Sequence, residues 1–277
     1  MPRSPLACTV RGCAGALERQ GSAWRCARGH AYDVSRAGYV NLLQPQDRKS
    51  TEPGDSRAAV DARAALLAQG VGRTTIEAVV AAAASHLPAD ATSVAVELGS
   101  GSGEALGALA SARPLQGIGI DLSSAAAAHA ARRYPDLTWV VANADRRLPV
   151  LDGSADLVLS IHARRNPAEC RRILRNAGSL LVAVPAADDL VELRLAVQGE
   201  RVERDRTEAL VAEHEAWFTV AERTTVRSRM EVSRDTLLAL LRGTYRGERA
   251  SSSVRVQALD RLTVTLASDV VRFVPRG

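Results

Sequence analysis

No run of about 18 apolar residues interrupts this 277-residue chain, so the sequence contains no candidate transmembrane helix. The opening residues, Met1 to Cys13, lack the apolar stretch of a secretory signal. The compartment this predicts is the cytoplasm. Aromatic residues are scarce at 3%, which leaves small side chains, alanine foremost, and helices to fill the core. A strong excess of one charge is also missing. Thirty-six basic residues face 31 acidic ones, and a net +5 permits a polyanionic partner without requiring one. Cysteine is limited to four residues, which in a reducing compartment are thiols or metal ligands rather than disulfides. What is present suits a globular enzyme. The apolar fraction is 46%, and the length accommodates one catalytic domain plus a small appendage.

Three stretches differ in character. Residues 1–45 hold three of the four cysteines, two of the four tyrosines and little helical periodicity, and read as a separate module. Residues 46–90 read as a linker and helical segment. The polar text from Gln44 to Ser56, broken by proline and glycine, predicts an exposed linker or mobile loop, with helices following at 57–69 and 73–86. Residues 91–277 read as the catalytic domain. Apolar runs at Val94 to Leu98, Gly117 to Ile120, Leu137 to Val141, Leu157 to Ile161 and Ser179 to Val184 alternate with helical or loop segments, the pattern of a parallel sheet. Two longer runs, Trp217 to Met230 and Arg261 to Val274, flank a helix at Ser233 to Leu241 and predict an antiparallel ribbon on one sheet edge.

Within this domain Glu97-Leu98-Gly99-Ser100-Gly101-Ser102-Gly103 follows a predicted strand and opens a predicted helix. Glycines let the backbone turn tightly and approach a ligand, while a helix N-terminus offers free N–H groups and a positive dipole end. Alone, such a loop is weak evidence. Asp121 closes the next predicted strand about 20 residues on, where a carboxylate can accept from both ribose hydroxyls. Asp145, or its neighbour Asn143, ends the third strand and can reach an adenine amino group. Either NAD or S-adenosylmethionine (SAM) brings an adenosine to this architecture. The G-x-G-x-G spacing with its preceding Glu97 resembles the first motif of class I SAM-dependent methyltransferases more than the dinucleotide G-x-G-x-x-G. The predicted fold is α/β, the Rossmann-like fold of those enzymes, with a small N-terminal zinc-binding module.

That module is read from Cys8, Cys13, Cys26 and His30, a C-x4-C-x12-C-x3-H pattern that completes a tetrahedral zinc shell and leaves no open position for a substrate. Cys170 falls in a predicted helix far from the cluster and reads as a buried small apolar residue. Arg3, Arg11, Arg19, Arg25, Arg28 and Arg36 surround the cluster, with Trp24, Tyr32 and Tyr39 interspersed. The arginines as a group are candidates for RNA contact; the aromatics read first as a miniature core.

The order of these elements resembles the 23S ribosomal RNA (guanine-N1)-methyltransferase family, the RlmA-like enzymes that include macrolide-resistance relatives. The likeness is carried by the cysteine cluster with Gly29 to Leu43, by Gln46 to Ser56 followed by Ala62 and Arg63, and by the loop ELGSGSG with Gly119 to Ser123. It continues through Arg132 to Pro135, Ala142 to Pro149, Arg164 to Glu169 and Leu190 to Leu193. It implies methyl transfer from SAM to N1 of a guanine in a 23S rRNA hairpin loop lining the peptide exit tunnel, a zinc module that helps grip the RNA, and often a homodimer. Carried over by position, the zinc ligands are Cys8, Cys13, Cys26 and His30, and the cofactor contacts include Gly101 and Ser102. Asp189 stands where family members contact SAM, often through a histidine. Gly72 replaces a tyrosine, and Leu240 to Tyr245 departs from the family's threonine-proline-aromatic text. Arg164 and Arg165, near the fourth strand, are read either as phosphate holders or as a solvated turn. No proton acceptor is nominated. Two rival readings stay open: a methyltransferase acting on a small metabolite, and a non-catalytic RNA-binding factor.

Overall fold

The computed structural model of the chain describes residues 4–47, 54–199, 205–244 and 256–277. Arg3, residues 48–53 of the predicted linker, and Tyr245 lie outside the described residues.

The central sheet is assembled from strands whose side chains are apolar on both faces, as a sheet covered on both sides demands. They are β5 (Ser93–Leu98), β6 (Leu115–Asp121), β7 (Thr138–Val141), β8 (Ala155–Ile161) and β9 (Leu174–Pro185). Intervening helices are α3 (Glu104–Ala112), α4 (Ser124–Arg133) and α5 (Pro167–Ile173). The strands run parallel in the order β9-β8-β5-β6-β7, and the two-residue strand β4 (Val40–Asn41) adds itself parallel to β7. On the other edge β11 (Arg261–Pro275) pairs antiparallel with β9 and then with β10 (Phe218–Ser233), so the predicted ribbon is present. From β5 the chain moves to β6 on one side and returns through β8 on the other. That reversal opens a crevice at the carboxyl ends of β5 and β8, where sheets of this type bind ligands.

Scarce aromatics are used economically. Trp139 is almost fully buried because Gly103 and Gly119 leave it room: a Cβ at Gly119 would lie 2.2 Å from the Trp139 ring. In α4 five alanines are buried, so the helix packs close to the sheet, and Ser123 caps it by accepting from the Ala126 N–H at 3.2 Å. Helices α1 (Arg57–Ala68) and α2 (Arg73–His86) fall where periodicity predicts them. The remaining helices, α6 (Val191–Gln198), α7 (Thr207–His214) and α8 (Arg234–Thr244), pack along the ribbon side.

The N-terminal segment forms a separate three-stranded antiparallel sheet of β1 (Leu17–Gln20), β2 (Ala23–Cys26) and β3 (Ala31–Asp33). Its packing is continuous with the larger sheet. Leu6, Leu17 and Trp24 belong to the same apolar cluster as Val96, Ile118 and Val150. Backbone bonds join Ala7 N–H to the Pro149 carbonyl and Leu42 N–H to the Val141 carbonyl, each at 3.0 Å.

Candidate active site and metal centre

The three loop glycines have φ values of 65°, 53° and 87° at positions 99, 101 and 103, a region L side chains rarely occupy. Two are pressed against protein. A Cβ at Gly99 would lie 2.4 Å from that of Ala163, and one at Gly103 would strike Trp139. Gly101 differs, because the space its Cβ would enter is open. Beside it, the buried Ser100 Oγ has no hydrogen-bond partner. The open space at Gly101, at the start of a helix, fits a polar ligand such as the adenosyl group or carboxylate of SAM.

Asp121, at the end of β6, fixes the loop: its Oδ2 accepts from Gly101 N–H at 2.9 Å and its Oδ1 from Ser123 N–H at 2.8 Å. Burial raises this carboxyl above its ordinary range against the pull of those amides. Each oxygen keeps a lone pair free for a ribose hydroxyl. Glu97 lies under the loop, where its Oε2 accepts from Leu106 N–H at 3.2 Å. Burial pushes it up to about 8, with the charges of Glu104 and Asp121 adding to the rise. Ser102 is buried and donates to Glu104 at 2.7 Å.

Past β7, Asn143 donates to the Asp47 carbonyl at 3.3 Å and accepts from Asp145 N–H at 2.9 Å, while the Asp145 carboxylate meets Arg164 at 3.2 Å. The end of the predicted linker is anchored here too. Gly54 is packed against the Leu122–Ser123 backbone, and the Asp55 carbonyl accepts from Ser123 Oγ at 2.6 Å. Asp55 also pairs with Arg63. Asp189 lies beyond β9 on the same sheet end; its Oδ1 accepts from Ala267 N–H at 2.9 Å, and burial raises it to about 6. Gly72 caps α2 at φ 82°.

Two features escape the sequence reading. Arg165 is no solvated turn residue and no phosphate holder: its side chain is 10% exposed and donates to His214 Nε2 at 3.2 Å and to the Ala163 carbonyl at 3.0 Å. Arg164, at 67%, stays exposed. The second is His162, one residue past β8. It adopts φ 50°, one of three non-glycine residues with positive φ among those described, and its Nε2 lies 2.9 Å from Ser268 Oγ, which accepts from Thr75 Oγ1 at 3.2 Å. The sequence signal for it was its place directly after the strand flanking the crevice.

Cys8, Cys13, Cys26 and His30 converge with all ligand atoms within 4.8 Å of one another. The Cys13 and Cys26 sulfurs are 3.8 Å apart, and His30 Nδ1 lies 3.4 Å from Cys8 and 3.3 Å from Cys26. Ligand bonds of roughly 2.3 Å to sulfur and 2.0 Å to nitrogen at tetrahedral angles give edges of about 3.8 and 3.5 Å. The donor set therefore fits zinc. Desolvation opposes ionisation of Cys26 but is outweighed by the amides of Arg28 and His30 and by the Cys13 and Cys8 thiols, which leave it lowered to about 7. Tyr32 Oη lies 3.2 Å from Cys8 Sγ and accepts from Thr9 N–H, so it braces the cluster, and Trp24 is core. Arg11, Arg19, Arg25, Arg28 and Arg36 are exposed, and among the described residues none is paired with a carboxylate. Cys170 is fully buried, its thiol pushed up by desolvation to about 12.

A parallel sheet reversing at a glycine loop, an acid closing the next strand and an antiparallel ribbon at the edge define a class I SAM-dependent methyltransferase fold with a zinc ribbon. Comparison with known proteins agrees. Residues 95–183 match the family model of a methyltransferase domain, and residues 7–51 match the zinc-ribbon model described as "RlmA, N-terminal". A 23S rRNA (guanine(748)-N(1))-methyltransferase of Streptomyces fradiae is 37% identical over 227 residues, covering 81% of this chain and 80% of the relative. A Micromonospora griseorubida protein, named provisionally as a 23S rRNA (guanine-N(1)-)-methyltransferase, is 32% identical over 270 residues, 91% of this chain and 90% of its own. Among solved structures, the YcgJ protein of Bacillus subtilis superposes with a TM-score of 0.52 at 14% identity, covering 73% of this chain and 99% of that one; this shows the fold alone. The chain belongs to the 23S rRNA (guanine-N1)-methyltransferase family.

Proposed function

We propose that this protein transfers a methyl group from SAM to N1 of a guanine in a hairpin loop of 23S rRNA near the peptide exit tunnel. The observation that carries the reading is the Streptomyces fradiae relative, whose alignment spans 81% of the chain at 37% identity. SAM supplies a methyl group on a sulfonium that leaves readily, so catalysis rests on positioning. Gly99, Gly101, Ser102 and Gly103 form the cradle, with Glu97 beneath it. Asp121 holds the ribose, Asn143 and Asp145 read the adenine edge, and Asp189 bounds the methionine side. Residues 1–45 act as the zinc-dependent RNA grip, residues 46–90 as connecting segment and residues 91–277 as the catalytic unit. The target base is unstacked into the crevice. In the cytoplasm such a mark on the tunnel wall lowers macrolide binding.

The test incubates the protein with tritiated SAM and unmodified 23S rRNA and maps label by primer extension. A stop at one loop guanine is expected; label confined to other RNA, or none in RNA, overturns the substrate. Expression in a macrolide-sensitive host then checks the resistance role by the inhibitory concentration.

A further inference from the structure

Resting on that reading, we infer that His162 accepts the proton that guanine N1 must give up, with Ser268 and Thr75 holding its ring. The strand order sets the direction of the cofactor. Asp121 closes β6 and Asn143 and Asp145 follow β7, so on the proposed reading these residues would hold the adenosine end on the β6/β7 side of the glycine loop. SAM held by those residues would present its methyl group the other way, toward β8 and β9. His162 is the first residue past β8, in the crevice between β8 and β5, and its neighbour Ala163 touches Gly99. A base reaching that methyl group would arrive beside this imidazole.

Its setting is built. His162 as a residue is exposed, yet enough protein surrounds it that desolvation, aided by the Arg206 charge, lowers it to about 4, so it is neutral at working pH. A non-glycine residue at φ 50° is strained and persists where the surroundings impose it, often at functional sites. Here the imposing contacts are His162 N–H to the Ala183 carbonyl at 2.9 Å and Nε2 to Ser268 Oγ at 2.9 Å. Ser268 is 1% exposed and accepts from Thr75, and its contact with Nε2 is compatible with either ring tautomer; the assignment requires the one in which Nε2–H donates to Ser268 and Nδ1 keeps its lone pair for substrate. The next residue back, Ala267, holds Asp189, so consecutive positions of β11 carry both groups.

Guanine N1 bonds to the methyl carbon as the carbon–sulfur bond breaks and its electron pair stays on sulfur. The N1–H pair becomes the nitrogen lone pair as the proton passes to His162 Nδ1. The imidazolium then releases the proton to water. As N1 takes the methyl, the nitrogen becomes positively charged and its proton far more acidic, which lets a base as weak as this imidazole accept it.

The test uses full-length wild-type protein, His162→Ala and His162→Gln. With unmodified 23S rRNA and SAM, both variants should lose at least about 100-fold in single-turnover rate, within the range general bases contribute. Calorimetric affinity for S-adenosylhomocysteine should stay within about twofold, and added imidazole should restore part of the His162→Ala rate. Nitrogen-15 NMR of the wild type should show the Nε2–H tautomer of His162, and Ser268→Ala should shift that balance. Wild-type rates in both variants, or an Nδ1-protonated ring in the free enzyme, overturn the assignment while leaving the methyltransferase reading intact. Absence of N1 label with wild-type protein overturns that reading and the assignment with it.

Discussion

Glu97 is a carboxyl 4% exposed with one backbone donor, and that imbalance has a measurable consequence. Its folded value of about 8 lies far above the ordinary 4.5, so the folded protein favours the protonated form. The stability this confers is present in full below about pH 4.5 and is lost as pH rises toward 8. Glu97→Gln keeps the shape and the acceptor but cannot ionise. The melting temperature of the variant should match wild type at pH 5 and exceed it increasingly to pH 8; parallel curves would show that Glu97 ionises freely in the fold. Asp121 is the complementary case, a carboxylate holding two amides at 2.8 and 2.9 Å. Asp121→Ala removes the proposed ribose acceptors and releases Gly101 N–H. A charge-assisted bond contributes about 1.5–3 kcal/mol, so loss of even one should lower S-adenosylhomocysteine affinity by at least about tenfold in calorimetry. Unchanged affinity would remove Asp121 from the proposed site.

At the scale of elements, the zinc segment both carries a complete ligand set and is packed on the sheet. Metal binding contributes folding free energy to such a small unit, but Leu6, Leu17 and Trp24 share the main core and β4 pairs with β7. Loss of zinc should therefore loosen β1 to β3 without melting the chain. For Cys26→Ser, elemental analysis should find less than one zinc per chain, and the melting temperature should drop by on the order of 10 °C, a few kcal/mol at about 2–4 °C each. Calorimetric S-adenosylhomocysteine binding should persist; its disappearance would mean that the two sites form one cooperative whole. The elements themselves were legible. Strand runs, the two helices before β5 and the edge ribbon follow periodicity, and the metal ligands follow spacing. The missed features join distant positions. Arg165 meets His214 49 residues away, His162 meets Ser268 across 106, and Thr75 meets Ser268 across 193. No local pattern encodes such pairings; they follow from which strand carries the ribbon. Anchoring of Asp55 on Ser123 was hidden for the same reason.

At the scale of the molecule, a net +5 says little, but its chemistry is uneven: Lys49 is the one lysine, so nearly all the positive charge is arginine. Arginine presents a planar fork that matches phosphate oxygens, and Arg11, Arg25, Arg28 and Arg36 stand exposed around a segment fixed to the sheet edge. Arg28 already commits one donor to the Gly12 carbonyl at 2.8 Å, which orients the remainder. If this face grips RNA, each arginine that neutralises a phosphate releases counterions. The slope of log affinity against log salt then falls by about 0.7–0.9 for every phosphate left without its arginine. Replacing all four with alanine should flatten the slope for 23S rRNA by about 3 in filter-binding titrations, while S-adenosylhomocysteine affinity and zinc content stay as in wild type. An unaltered slope would move the grip elsewhere, with exposed Arg164 beside Asp145 at the crevice rim as the next group to test.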